Sequence, residues 1–331
     1  MRSIPSFASL ALVFSLAAQA APEKMQAAEV GQGGALSVQT RPVPQPGAGE
    51  VLIKVRAAGV NPVDWKSAVR RLGMVPGTDV SGTIDTLGEG VTGWKVGDQV
   101  LGFARSSGSY AEYAVISVTS LARKPKSMTF EQAAGVPIAA ETAYRALHEA
   151  GKIERGQTVL IHGAAGGVGS SAVQIAKAAG ARVIGTASPN NHDFLRSLGV
   201  DQVIDYKSQR FEDVVKNVDL VLNTADADTT ARSIGVVRPG GTLVSIVGPP
   251  NPAACAAAKI RCERPNRETG APIADMLARV VELADAGKFK VFVEATYSLA
   301  DAAKAWSKSR EGHTRGKLII VVTEGPTMKH Q

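Results

Sequence analysis

The chain has 331 residues, 44% of them hydrophobic and 20% charged, with a formal net charge of +7. That length and apolar content suit two packed domains and exclude a disordered or fibrous chain. The basic residues are scattered, with no long Lys/Arg run and only 5% aromatics, so the charge reads as a basic surface and not as a nucleic-acid-binding stripe.

In chain order, Met1–Ala20 comes first. Arg2 opens it, Phe7–Ala18 is apolar but too short to span a bilayer, and Ala18-Gln19-Ala20 is a small-x-small site. This is the pattern of a secretory signal peptide cut before Ala21, which predicts a periplasmic or secreted protein with no membrane association after cleavage. Met25 is an alternative natural start, and a chain beginning there would be cytoplasmic.

Val51–Val55 alternates as a strand after the turn-rich Pro42–Gly49. Asn61-Pro62-Val63-Asp64-Trp65-Lys66 follows on a loop. Short apolar runs broken by Pro76-Gly77, Gly97-Asp98 and Gly108-Ser109 then predict a small β-barrel.

Thr158–Ser188 organises the rest. Thr158–Ile161 has the length and β-branching of a buried strand, Gly163–Gly169 is a turn of small residues, Ser170–Ala179 reads as a helix, and Arg182–Gly185 closes a βαβ unit. The turn fits the G-x-G-x-x-G dinucleotide fingerprint with Ala164, Gly166 and Gly169 at the three glycine positions. Gly166 lets the backbone approach a pyrophosphate, and Gly169 lets the helix pack on the strand. The amides around Gly167 and Val168 face the phosphates. An NAD site carries an acid about 20 residues further on, and here the second strand runs out in Gly185-Thr186-Ala187-Ser188 without one. Ser188, Asn191 and Tyr206 stand near that end, with Arg196 beyond them. The prediction is NADPH over NADH.

Further strands are expected at Gln202–Ile204, Val218–Leu222, Thr242–Val247 and Lys259–Glu263, with helices at Asn191–Leu198, Thr229–Val237, Ile273–Ala286 and Ala300–Ser309. Together they predict a doubly wound α/β sheet. Strand ends then select Asn223-Thr224 and Val247-Gly248 as ligand contacts. The segment Pro249–Gly270 resists placement. Its two cysteines, Cys255 and Cys262, have no CxxC spacing for zinc; either they bridge in an oxidising compartment, or Cys262 is a small buried apolar residue. Lys317–Val322 is a final strand.

Asn61-Pro62-Val63-Asp64, Pro76–Gly82, Gly97-Asp98, Gly108–Tyr113, His162–Gly169 and Gly312–Lys317 together resemble the zinc-independent branch of the medium-chain dehydrogenase/reductases, the quinone oxidoreductase or zeta-crystallin-like group. The resemblance spans about Met25–Val322. It implies a GroES-like catalytic domain (25–142 and 288–331), a Rossmann domain (143–287) and a site in the cleft between them. It implies Thr142 at the nicotinamide end, Asn223 near the adenosine ribose, Val247 and Gly248 at the carboxamide, and Arg315 and Lys317 of the closing segment as further cofactor contacts. It also implies a homodimer. Zinc-dependent relatives carry Cys where Asn61 stands and Gly-His-Glu where Gly77-Thr78-Asp79 stands; no His or Cys occurs from Met1 to Arg145, so no metal is expected. Only Ser67–Val75 separates Lys66 from Pro76, shorter than in relatives.

The expected reaction is NADPH-dependent hydride transfer to a quinone or an α,β-unsaturated carbonyl. Asn61 is the candidate oxyanion donor, Lys66 a source of charge or a proton, and Trp65 an aromatic wall. The competing expectation is a non-catalytic NADPH-binding or RNA-associated zeta-crystallin-like protein. A metal-free alcohol dehydrogenase is a third reading.

Overall fold

The computed structural model describes residues 21–266 and 270–322. The leader expected at Met1–Ala20 lies outside them. No helix among the described residues is long and apolar enough to cross a membrane.

Among the described residues, fifteen strands form three sheets. The first is an antiparallel hairpin of β1 (Lys24–Val30) and β2 (Leu36–Pro42). The second combines β3 (Glu50–Val60), β4 (Asp79–Leu87), β5 (Gln99–Phe103), β6 (Tyr113–Ser117) and β7 (Leu121–Arg123). The third contains β8 (Thr158–His162), β9 (Arg182–Ala187), β10 (Gln202–Asp205), β11 (Val218–Asn223), β12 (Val237–Ser245) and β13 (Arg261–Glu263). The last strands, β14 (Val293–Ser298) and β15 (Lys317–Val321), return to the second sheet, whose order is β14-β15-β3-β4-β5-β7 with β6 also on β3. Strand β15 is thus stitched antiparallel to β3, from Leu318 opposite Val60 to Val321 opposite Ala57.

The third sheet has the order β10-β9-β8-β11-β12-β13, and every pair in it is parallel. This is the doubly wound order, in which the direction of progression reverses beside the first strand. Side-chain alternation explains why its strands read as unbroken apolar runs. Val159 and Ile161 of β8 and Leu220 and Leu222 of β11 enter one core, while Leu160 and Val221 enter the core on the opposite face. The first core is closed by helices Pro137–Tyr144, Gly167–Ala178 and Ile273–Asp285, and the second by Phe211, Val236 and Cys255. The second sheet has its own interior of Val51, Ile53, Val55, Val80 and Ile84.

Boundaries differ from expectation where glycine and proline mislead. The fifth parallel strand begins at Val237, ahead of Pro239-Gly240-Gly241, and ends at Ser245. A helix was expected to run through Val237, but it stops at Ser233 and tightens into a 3-10 turn over Ile234–Val236. In the segment that resisted placement, Asn251 caps a helix, Pro252–Ala257, and Cys255 is disulfide-bonded to Cys262. The bond ties that helix to the edge strand β13, so Cys262 is a bridge and not a lone apolar residue.

Candidate active site

The fingerprint turn joins β8 to helix Gly167–Ala178, with Gly166 as its N-cap. The first regular helical bond runs from Ser170 N–H to Gly166 C=O. Two glycines here have no room for a side chain. A Cβ on Gly169 would stand 2.2 Å from Gly163 O, and one on Gly163, at φ 65°, would stand 2.5 Å from Thr224 Oγ1. Gly166 meets nothing closer than 3.5 Å, so its face is open to a ligand. Ala164 is fully buried, its N–H donating to Thr186 C=O at 3.2 Å. Val168 is half-buried beside it. An open small-residue turn at a helix N-terminus, outside the carboxyl end of the first strand, is a cradle that fits a dinucleotide pyrophosphate.

At the ends of β9 and β10 lies a cavity of about 580 Å3, lined by Ser188, Asn191, Tyr206, Lys207, His313 and Arg315, with Asn190, Phe292 and Glu294 completing it. Four of the residues expected to hold a cofactor (Ser188, Asn191, Tyr206 and Arg315) therefore share one wall. Arg315 is pinned: its Nε–H donates to Asn191 Oδ1 at 2.7 Å and its Nη2 to Asn190 C=O at 2.8 Å, and its guanidinium lies against the Phe194 and Phe292 rings. Asn191 in turn donates to Ser188 Oγ at 3.3 Å. Arg196 is absent from this lining; it pairs with Asp193 on the surface. Lys207 and His313 are additions. Lys207 follows Tyr206 directly and was legible as its neighbour. His313, at φ 59°, lies in the closing Gly312–Lys317 motif, with no acidic or Ser partner at a telling spacing in the sequence.

A second group of residues is buried around Asn61. The backbone N–H of Asn61 donates to Asp64 Oδ2 at 2.8 Å, as an acid at the third position of a helix start does for its cap residue. The Tyr110 hydroxyl donates to the same oxygen at 2.9 Å. The side-chain amide of Asn61 donates to Asp79 Oδ2 at 2.9 Å, and its Oδ1 accepts from the Lys317 ammonium. Lys317 also donates to Val60 C=O at 3.0 Å and lies 3.7 Å from Asp79. Asp79 Oδ1 accepts from Ile138 N–H at 3.0 Å, which fixes the start of the helix that carries the half-buried Thr142.

Asn61, Asp64, Asp79, Tyr110 and Lys317 are all at most 5% exposed. One cation among two carboxyls is neutral only if one carboxyl keeps a proton. Burial pushes Asp64 up to about 7, with Asp79 nearby adding to it, while Asn61 N–H and the Tyr110 hydroxyl pull the other way. Burial also raises Asp79, and there Lys317 opposes it most. Burial lowers Lys317 against the pull of both acids and raises Tyr110. The Asn61 amide has two hydrogens, and Asp79 takes one of them.

Three of the expected residues have other partners within the chain. Lys317 was expected among the cofactor contacts, but its ammonium points into the Asn61 cluster and only its methylenes lie along Gly167. Asn223 was expected near the ribose. Its side chain is fully buried and spent on its own loop, donating to Asp226 C=O and Thr230 Oγ1 and accepting from Ala225 N–H. Lys66 is exposed, with its ammonium over the Trp65 ring, and no hydrogen bond among the described residues links it to Asn61. Trp65 packs within its own domain, donating to Ser309 Oγ at 3.1 Å and stacking under Arg310. Val247, 40% exposed, and Gly248 follow the end of β12, where Gly248 N–H reaches Ser245 Oγ at 3.4 Å.

The closing segment connects the two groups. Gly316 N–H donates to Ala165 C=O at 2.8 Å, so Arg315 faces the open cavity while Lys317, two residues on, enters the buried cluster. Among the described residues no group of three or more His, Cys, Asp or Glu could hold a metal ion.

The chain is similar to known proteins over most of its length. Residues 47–126 match the model of the alcohol dehydrogenase GroES-like domain, and residues 198–320 match that of a zinc-binding dehydrogenase domain. The chain is 33% identical over 301 residues to a chloroplastic quinone oxidoreductase of Triphysaria versicolor, covering 84% of this chain and 92% of that one. It is 32% identical over 297 residues to an NADPH-dependent alkenal/one oxidoreductase of Arabidopsis thaliana, covering 84% of this chain and 73% of that one. The structure of a quinone oxidoreductase from Coxiella burnetii superposes with a TM-score of 0.82 at 31% identity, over 91% of this chain and all of that one. These relatives are oxidoreductases.

Proposed function

The chain belongs to the medium-chain dehydrogenase/reductase family, and on that footing we propose that it is an NADPH-dependent oxidoreductase that reduces a quinone or an α,β-unsaturated carbonyl without zinc. The observation that carries the reading is the cavity at the end of β9. That strand ends at Ala187 with no acid, and Lys207, Arg315, Ser188 and Tyr206 line the space beyond it. A carboxylate at the strand end would favour a ribose hydroxyl and repel a phosphate; cations and hydroxyls there favour the phosphate. Glu294 also lines the space, and its carboxylate accepts from the Arg315 backbone N–H. The names of the quinone and alkenal/one relatives support the substrate class.

A bound nicotinamide would supply the hydride. The chain's own residues bind, orient and stabilise. The fingerprint turn cradles the pyrophosphate, and Arg315, fixed by Asn191 and Asn190, holds the adenosine end. Thr142, Val247 and Gly248 orient the nicotinamide end. Asn61 donates its second amide hydrogen to the oxygen on which negative charge develops. Lys317 and Asp79 lock that amide's orientation, since its Oδ1 and one N–H are already committed. Alignment of this kind lowers the barrier without a metal.

The test is NADPH oxidation by the purified protein with 1,4-benzoquinone, 9,10-phenanthrenequinone and a 2-alkenal, with NADH and EDTA controls. Turnover that prefers NADPH and is insensitive to EDTA is the expected result. Turnover abolished by EDTA, or none with any acceptor, rejects the proposal.

A further inference from the structure

His162 is the last residue of β8 and stands immediately before the fingerprint turn. Its ring is buried, edge-on to Phe211, and lines no wall of the cofactor-side cavity. Nε2 lies 3.1 Å from Ser233 Oγ, and Nδ1 lies 3.2 Å from Thr186 Oγ1. Ser233 decides where the ring's hydrogen sits. Its one hydroxyl hydrogen goes to Thr229 C=O at 2.6 Å, so towards His162 it can only accept. Nε2 therefore carries the hydrogen, Nδ1 is bare, and the Thr186 hydroxyl donates to Nδ1. Burial pushes the imidazole down to about 4, with the Arg232 charge adding to it, so the ring is neutral, as this arrangement requires.

Thr186 is the residue through which this reaches the ligand. The ladder register between β8 and β9 ends at Ile161 opposite Gly185, and the His162–Thr186 bond extends the link one residue further. Thr186 C=O accepts from Ala164 N–H of the fingerprint turn, and two residues on Ser188 enters the cavity wall. Thr186 thus supports both the pyrophosphate cradle and the adenosine end, and a small displacement of either costs affinity. We propose that His162 is a positioning residue for the dinucleotide, acting through Thr186: its ring holds the end of β9 at the distance from the fingerprint turn that lets one ligand reach both. The proposal rests on the dinucleotide reading of the site, and not on which dinucleotide or acceptor is used.

Two substitutions separate the ring's two bonds. His162→Asn puts an amide oxygen as many bonds from Cα as Nδ1, where it can still accept from Thr186. His162→Gln puts an amide nitrogen as many bonds from Cα as Nε2, where it can still donate to Ser233. Binding of NADPH and NADH is measured by quenching of protein fluorescence well below Tm, with circular dichroism to show that each variant is folded. For the dinucleotide that the parent binds tighter, His162→Asn should keep the Kd to within about threefold, and His162→Gln should raise it about tenfold. Thr186→Val removes the same bond from the other side; it should match His162→Gln, and it replaces that variant should it fail to fold. A residue that served only the fold would lower Tm and leave the Kd of the folded protein unchanged. Parental Kd in both His162→Gln and Thr186→Val, or a loss in His162→Asn as large as in His162→Gln, overturns the proposal and leaves the proposed function standing. A parent that binds neither dinucleotide overturns both.

Discussion

The buried cluster at Asn61 and the open cavity at Arg315 use similar residue types under opposite conditions. In the cluster, Asn61, Asp64, Asp79, Tyr110 and Lys317 bond to one another in a buried site. In the cavity, Tyr206 is 48% exposed and the residues around it face solvent. A polar side chain removed from the first leaves a buried partner unsatisfied, and one removed from the second leaves a partner that water can satisfy. The cluster should therefore respond to substitution chiefly through stability and the cavity chiefly through affinity, although Gly316 alone separates Arg315 from Lys317.

The largest expected effect is that of Lys317→Met. It strands Asp79 and the Asn61 carbonyl, at a cost of about 3–5 kcal/mol and a fall in Tm on the order of 10 °C. Adding Asp79→Asn should recover part of the loss, because it removes the uncompensated charge. A thermal melt showing Lys317→Met as stable as the parent would break the contrast.

Asp64→Asn comes next and sharpens it through pH. The Asp64 carboxyl rises from 3.8 to about 7 on folding, so between those values the folded state binds more protons than the unfolded one. Stability from this group is complete below about 4 and is lost as pH rises through about 7. Asparagine cannot titrate, and its carbonyl oxygen can still accept from Asn61 N–H and Tyr110. The decline in Tm from pH 5 to pH 8 should become shallower by a few degrees in the variant. It should not vanish, because Asp79 is raised in the same direction. An unchanged pH profile would remove Asp64 as the proton holder.

Arg315→Ala should act on the other side of the contrast. The KM for NADPH should rise about 10–100-fold while that for NADH moves far less, with Tm lowered by only a few degrees. Smallest of all, Tyr206→Phe should raise the NADPH KM by only about threefold, the worth of one solvent-shared hydrogen bond. A large stability loss in Tyr206→Phe would show that the open cavity is not open.

These two regions were unequally legible in the sequence. The cavity follows from local rules. The fingerprint marks the first strand, parallel sheets bind ligands at strand ends, and Ser188, Asn191 and Tyr206 stand at the ends of β9 and β10. The cluster follows from no local rule. Asn61 and Lys317 are 256 residues apart and meet only because β15 pairs with β3. The closing Gly-Lys pair was visible as a motif, but not the direction of its side chain, because adjacent strand residues face opposite ways. Asp64 was within reach, since an acid three residues after Asn61 is a helix-start signal. Asn223 misled because a strand end predicts a place and not which atoms are free there. The β1–β2 hairpin stayed hidden: most of β2, LSVQTRP, is exposed and shows no apolar alternation.

The most direct measurement of the central claim is equilibrium binding of NADPH and NADH to the purified protein, by quenching of protein fluorescence, in the parent and in Arg315→Ala. The account predicts NADPH tighter than NADH by at least about tenfold in the parent, and most of that difference gone in the variant. NADH bound as tightly as NADPH by the parent, or a preference unaffected by the loss of Arg315, would contradict it.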